Sequence, residues 1–126
     1  LFTTSSEVAN EVAFSSVLLD EPKTNTYLNS FCFGLRLNDL LAPSFAQYLF
    51  RNTFFRKAVY PLAQGSTRYN VSKKEVGKVQ LHISSVEEQN RIAESFQLFD
   101  SRIDNVMHLI NQTEQLKKGL LQQMFI

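Results

Sequence analysis

The chain has 126 residues, a formal net charge of +1, 44% hydrophobic residues and 20% charged ones. That length supports one ordinary domain rather than two separate cores, and the balance is that of a globular protein, with too little total charge to draw nucleic acid by itself. Cys32 is the sole cysteine, which excludes a disulfide framework and a Cys-based zinc site and fits a reducing, cytoplasmic setting, and no apolar run reaches the roughly 18–20 residues of a membrane span.

The opening "LFTTSSEVAN" reads like the interior of a structure, so the chain is expected to be part of a longer polypeptide. "FSSVLL" (14–19) predicts a short strand. "DEPKTN" (20–25) is a turn. From Tyr27 to Leu37 the alternation is clear: Tyr27, Phe31, Phe33, Leu35 and Leu37 fall on one face, which predicts a strand. Asp39 to Pro43 prepares a helix, with Pro43 in its first turn. "SFAQYLFRNTFFRKAVY" (44–60) has apolar residues mostly three to five apart, predicting one helix that Pro61 ends. "AQGSTRYNVSKKEVGK" (63–78) is a polar loop in which Ser72 and Glu75 form a capping box, enough for a single helical turn. "KVQLHIS" (78–84) alternates Val79, Leu81 and Ile83 against Gln80 and His82, predicting a half-buried strand.

Ser85 and Glu88 form a second capping box, which opens a long helix. Ile92, Phe96, Phe99, Ile103, Val106, Ile110, Thr113, Lys117, Leu120 and Met124 follow in strict 4-3 spacing. A stripe repeating every 3.5 residues is a coiled-coil seam, because it keeps one face toward a partner helix. Thr113 and Lys117 interrupt it, while Leu109, Leu116 and Leu121 lie beside it and widen the apolar face. The helix-packing residues are therefore Ile92, Phe96, Phe99, Ile103, Val106, Ile110, Leu116, Leu120 and Met124. A helix folded back on its own domain is the alternative, but the helix is too long for a domain of this size to cover. The expected fold class is α+β, with strands, one helix and a basic loop before the long coiled-coil helix.

Charge is unevenly spread. Residues 51 to 78 hold Arg51, Arg56, Lys57, Arg68, Lys73, Lys74 and Lys78 against Glu75, while the segments on either side are acidic. Such a block is a candidate electrostatic footprint for nucleic acid; a solvated surface is the alternative. Catalytic machinery is not legible. His82 and His108 have no partner at metal-ligand spacing, and Glu87, Glu88, Glu94, Asp100 and Asp104 read as a solvated helix face. There is no phosphate-binding glycine motif. Pro22, Pro43 and Pro61 are never adjacent, which excludes the Pro-Pro-aromatic signature of adenine methyltransferases. The chain reads as non-catalytic, with no cofactor and no metal.

"SSVEEQNRIAESFQLFDSRID" (84–104) and "LINQTEQLKKGLLQQMF" (109–125) resemble the helical region of the specificity subunits of type I restriction-modification systems. "QGSTRYNVSKKEVGKVQLHIS" (64–84) resembles the stretch before that helix, and "LFTTSSE" a piece of the target recognition domain. The resemblance implies a subunit with two repeats, each a target recognition domain followed by a long helix, the helices packing antiparallel as a spacer. It also implies that each recognition domain reads half of a bipartite site in double-stranded DNA. Methyltransferase subunits would dock on the assembly and modify adenine, and a restriction subunit would cleave. On this reading residues 1–84 are a target recognition domain lacking its N-terminal part, and residues 85–126 are the spacer helix. The spacer's partner would be a second such helix, from a tandem repeat or another copy.

The loop Gln64 to Asn70 is the expected DNA contact. Gly65 lets backbone approach a phosphate, Ser66 and Thr67 offer hydroxyls, and Arg68 offers a planar fork for guanine or phosphate. Tyr69 offers a stacking face and Asn70 an amide suited to adenine. Lys73 and Lys74 would position the duplex through phosphates, and Arg51, Arg56 and Lys57 would extend the footprint. Two alternatives remain: a coiled-coil assembly module that binds no DNA, and self-association of two copies that imitates the two-repeat subunit.

Overall fold

Six residues at the start of the chain pair with three distant segments, and this shared spine organises the first part of the molecule. The computed structural model describes residues 1–20, 22 and 24–125; Glu21 and Lys23, in the expected turn, and the terminal Ile126 lie outside the described residues. Strand β1 (Phe2–Thr3) pairs antiparallel with β3 (Cys32–Phe33), and β2 (Ser5–Ser6) pairs antiparallel with β4 (Tyr69–Asn70). The third partner is the segment before Ser16. Thr3 N donates to Phe14 O at 3.0 Å, Ala13 N to Thr3 O at 2.9 Å, and Phe2 bridges Ser15. Thr4 stands between the two ribbons, donating to Phe31 O at 2.7 Å and accepting from Val71 N at 2.9 Å.

These pairings correct two strand expectations. Of 14–19 only Ser15 joins a bridge, and of 27–37 only Cys32–Phe33 forms strand. Tyr27, Phe31 and Leu35 are exposed, so the alternation there does not mark a buried face. Val79 and Leu81 do pack half-buried against the core, as their alternation suggests, yet 78–84 forms no strand among the described residues. Side-chain alternation predicts a face; a strand also needs a backbone partner.

The single helix expected over 44–60 is two. Helix α1 runs Pro43–Leu49 with Pro43 in its first turn, and α2 runs Thr53–Val59. The break lies at Asn52, whose side-chain oxygen accepts from Phe55 N at 2.8 Å and caps the second helix. Pro61 sits inside a short 3₁₀ turn, Tyr60–Leu62, that closes α2. Ser72 starts a single turn, α3 (Lys73–Val76), with its hydroxyl accepting from Glu75 N at 3.1 Å.

Phe2, Val12, Ala13, Phe33, Phe55, Val59, Val71 and Val76 form the core. Phe2 stacks on Phe33 at 5.3 Å and meets Phe50 edge-on at 5.1 Å, while Phe50 meets Phe55 edge-on at 5.1 Å. These offset and edge geometries suit the ring quadrupoles. The spine, β3 and α2 are thus joined by aromatic packing as well as by hydrogen bonds.

Helix α4 spans Val86–Met124, about 58 Å at 1.5 Å per residue. Ser85 caps it, its hydroxyl accepting from Glu88 N at 3.4 Å. The fold is α+β, short strands and helices followed by this long helix. The chain divides into two compact units, Leu1–Arg91 and Ile92–Ile126. Within the first, the start of α4 is fixed by Gln89, which is fully buried. Its Oε1 accepts from Ala42 N at 2.9 Å, and its Nε2 donates to Leu40 O at 2.9 Å and Ser84 O at 2.8 Å. One amide therefore satisfies three backbone groups at the entrances of α1 and α4, which α1 has no capping side chain to do.

Candidate nucleic-acid interface

The loop between Gln64 and Asn70 is closed by two backbone hydrogen bonds, Gln64 N to Asn70 O and Asn70 N to Gln64 O, both 2.8 Å. Gly65 turns the chain at φ +134°, where a Cβ would stand 2.1 Å from Arg68 O. Only glycine suits that position. Ser66, Thr67 and Arg68 are exposed on the loop, Asn70 is exposed beside it, and Tyr69 is half-buried against the core. Tyr69 thus has its ring committed to packing rather than open for stacking. The Asn70 side chain donates to Arg68 O at 3.2 Å, bracing the loop from inside.

Arg68 reaches toward Glu7, with Nη2 to Oε1 at 3.5 Å, and its guanidinium lies 5.9 Å from the Phe31 ring centroid. Both groups are exposed, so the pair is weak and screened by salt. Nothing in sequence spacing marks Glu7 or Phe31 as neighbours of Arg68, since the spine brings them there. Lys73 and Lys74 project from α3 and make no ion pair among the described residues; Lys78 is held by Glu75 at 2.7 Å. Only Val71 and Ser72 separate the 64–70 loop from α3 along the chain.

Arg51 and Arg56 are placed differently. Arg51 Nε and Nη2 donate to Ser15 O at 3.2 and 3.1 Å. Arg56 Nη1 donates to Ala13 O at 3.1 Å, and its Nη2 to Asn10 O. Phe14 lies by both guanidinium groups, 5.9 Å from Arg51 Cζ and 5.2 Å from Arg56 Cζ. Desolvation by this burial lowers the Arg56 guanidinium from its usual range. Lys57 is exposed and makes no ion pair among the described residues.

On α4 the stripe Phe96, Phe99, Ile103, Val106, Ile110, Leu116, Leu120 and Met124 is exposed, and Ile92 is half-buried. Thr113 satisfies its hydroxyl within the helix by donating to Leu109 O at 2.8 Å. Among the described residues no three His, Cys, Asp or Glu side chains form a group that would hold a metal, and no helix is long and apolar enough to cross a membrane.

The type I restriction modification DNA specificity domain model matches residues 4–115. The chain is also 24% identical over 93 residues to the type I restriction enzyme StySPI specificity subunit of Salmonella potsdam, an alignment covering 74% of this chain and 20% of that protein. The chain thus spans about a fifth of the length of the curated relative it matches. No solved structure matches. A family match that takes in β2, the basic loop and most of α4 accounts for these elements together, and the chain belongs to the type I restriction-modification DNA specificity domain family.

Proposed function

We propose that residues 1–84 are the latter part of a target recognition domain that reads one half of a bipartite DNA site, and that residues 85–126 are the spacer helix of the same specificity subunit. The observation that carries this reading is the closed loop of Gln64–Asn70, which holds Ser66, Thr67 and Arg68 in solvent, with Lys73 and Lys74 following closely in the chain and making no ion pair among the described residues. A rigid turn that displays hydroxyls and a guanidinium suits base edges, and flanking ammonium groups suit phosphates. Arg68 exchanges a weak, exposed partner, Glu7, for DNA, so little is lost when it turns to the duplex. The exposed stripe of α4 is what a second spacer helix and methyltransferase subunits would cover, with a restriction subunit joining the assembled, cytoplasmic complex. This chain would supply recognition and no catalysis.

The test is the salt dependence of duplex binding by the assembled specificity subunit and its Lys73→Ala/Lys74→Ala variant. Loss of two phosphate contacts lowers the slope of log K against log salt by about 1.8. Arg68→Ala weakens binding to the preferred sequence by about 1–3 kcal/mol and leaves random duplex nearly unaffected. An unchanged salt slope in the double variant would move the DNA surface off this loop. It would favour the alternative in which the chain is an assembly module carried by its helix.

A further inference from the structure

We propose that Arg51 and Arg56 are positioning residues for the reading loop, clamping the spine from which that loop hangs, and are not phosphate contacts. The inference rests on the DNA-reading function assigned to the loop. Four hydrogen bonds and two ring contacts from them converge on one short segment: the carbonyls of Asn10, Ala13 and Ser15 and the ring of Phe14. Each guanidinium directs two of its five N–H donors at backbone carbonyls and lies by the Phe14 ring, so its orientation is set by this segment rather than free to follow a duplex.

The clamped segment needs holding. Ala13 has φ +52° while fully buried, a conformation that non-glycine residues adopt only when their surroundings impose it. Its carbonyl is the one that Arg56 Nη1 grips, and its N–H donates to Thr3 O. From Thr3 the spine continues into Thr4, which accepts from Val71 N, and into Ser5 and Ser6, which pair with Asn70 and Tyr69. A continuous hydrogen-bonded path therefore links the two arginines to the strand that closes the loop. Lysine retains the charge at each position but lacks the planar fork, so the two roles separate cleanly.

The experiment compares Arg51→Lys and Arg56→Lys with the wild-type specificity subunit in its assembled complex, with Lys73→Ala/Lys74→Ala as the reference for phosphate contact. The DNA probe is a pool of random-sequence duplexes, and the readouts are enrichment of the preferred half-site, the salt slope, and amide exchange at Thr3, Ala13 and Val71. Expected in both lysine variants are exchange about tenfold faster at those amides, enrichment reduced about tenfold, and an unchanged salt slope. Should Arg56→Lys unfold the unit, Arg51→Lys, which touches a single carbonyl, carries the same test. Unchanged exchange and enrichment in the lysine variants, with a slope lowered by about one in Arg56→Ala, would overturn the proposal in favour of phosphate contact. Faster exchange with full enrichment would overturn the positioning role as well. If the Lys73→Ala/Lys74→Ala reference keeps the wild-type slope and enrichment, the DNA-reading assignment itself fails and this proposal falls with it.

Discussion

Replacing Gly65 by alanine asks whether the reading loop has one closed shape. The added Cβ would stand 2.1 Å from Arg68 O and 3.0 Å from Arg68 C, both backbone atoms, so no rotamer change relieves the clash. Holding alanine at φ +134° adds about 1–3 kcal/mol of backbone strain. The escape is to open the loop and release the two 2.8 Å bonds between Gln64 and Asn70, at about 0.5–1.5 kcal/mol each. Opening is cheaper than clash and strain together, because Ser66, Thr67 and Arg68 are already in water. The closed loop should therefore lose about 1–3 kcal/mol, a factor of roughly 5 to 150 in population. Amide exchange resolved by NMR reads this directly. Gln64 and Asn70 should exchange faster by about that factor, while Thr3 and Ala13, held elsewhere on the spine, should keep their protection. Wild-type protection at Gln64 and Asn70 in the alanine variant would refute the reasoning.

Gln89→Ala should destabilise the first unit by about 3 kcal/mol, since it strands Ala42 N, Leu40 O and Ser84 O; a urea midpoint unchanged from wild type would contradict that. The adjacent phenylalanines of α2 should separate sharply in thermal melting. Phe55→Ala, buried in the aromatic cluster, should cost about 3–5 kcal/mol. Phe54→Ala, which is exposed, should stay within about 0.5 kcal/mol, and equal losses would mean that the core is misassigned.

The long helix and the two serine caps were legible in the sequence because their causes are local: a 4-3 repeat, and a hydroxyl three residues from the amide it accepts. The strands were not, because β1 to β4 are two residues each and owe their existence to partners far along the chain, Cys32–Phe33 for β1 and Tyr69–Asn70 for β2. Asn52 reads as a polar position within a helix until its side chain is seen capping Phe55 N. Gln89 reads as one more polar residue on a solvated helix, since its partners Leu40 and Ala42 lie far back in the chain. For the basic block, the sequence located the charge but could not divide it. Arg51 and Arg56 carry guanidinium forks with carbonyls within reach, and the tertiary path of residues 10–15 decides that.

The shared spine also constrains the order in which this molecule can be made. Residues 2–6 emerge before their partners: β3 follows some 30 residues later, and β4 only when Asn70 has been synthesised. At roughly 5–20 residues per second, the second ribbon waits about 3–13 s for its partner. Through that interval Phe2 has Phe33 or the Phe14 region to collapse on, whereas Ser5 and Ser6 offer an open edge of polar side chains. Placing serine rather than valine or isoleucine there keeps the waiting edge unattractive to other nascent chains. A Ser5→Val/Ser6→Val variant would carry a stronger β-former into the finished ribbon and a more adhesive one into its synthesis.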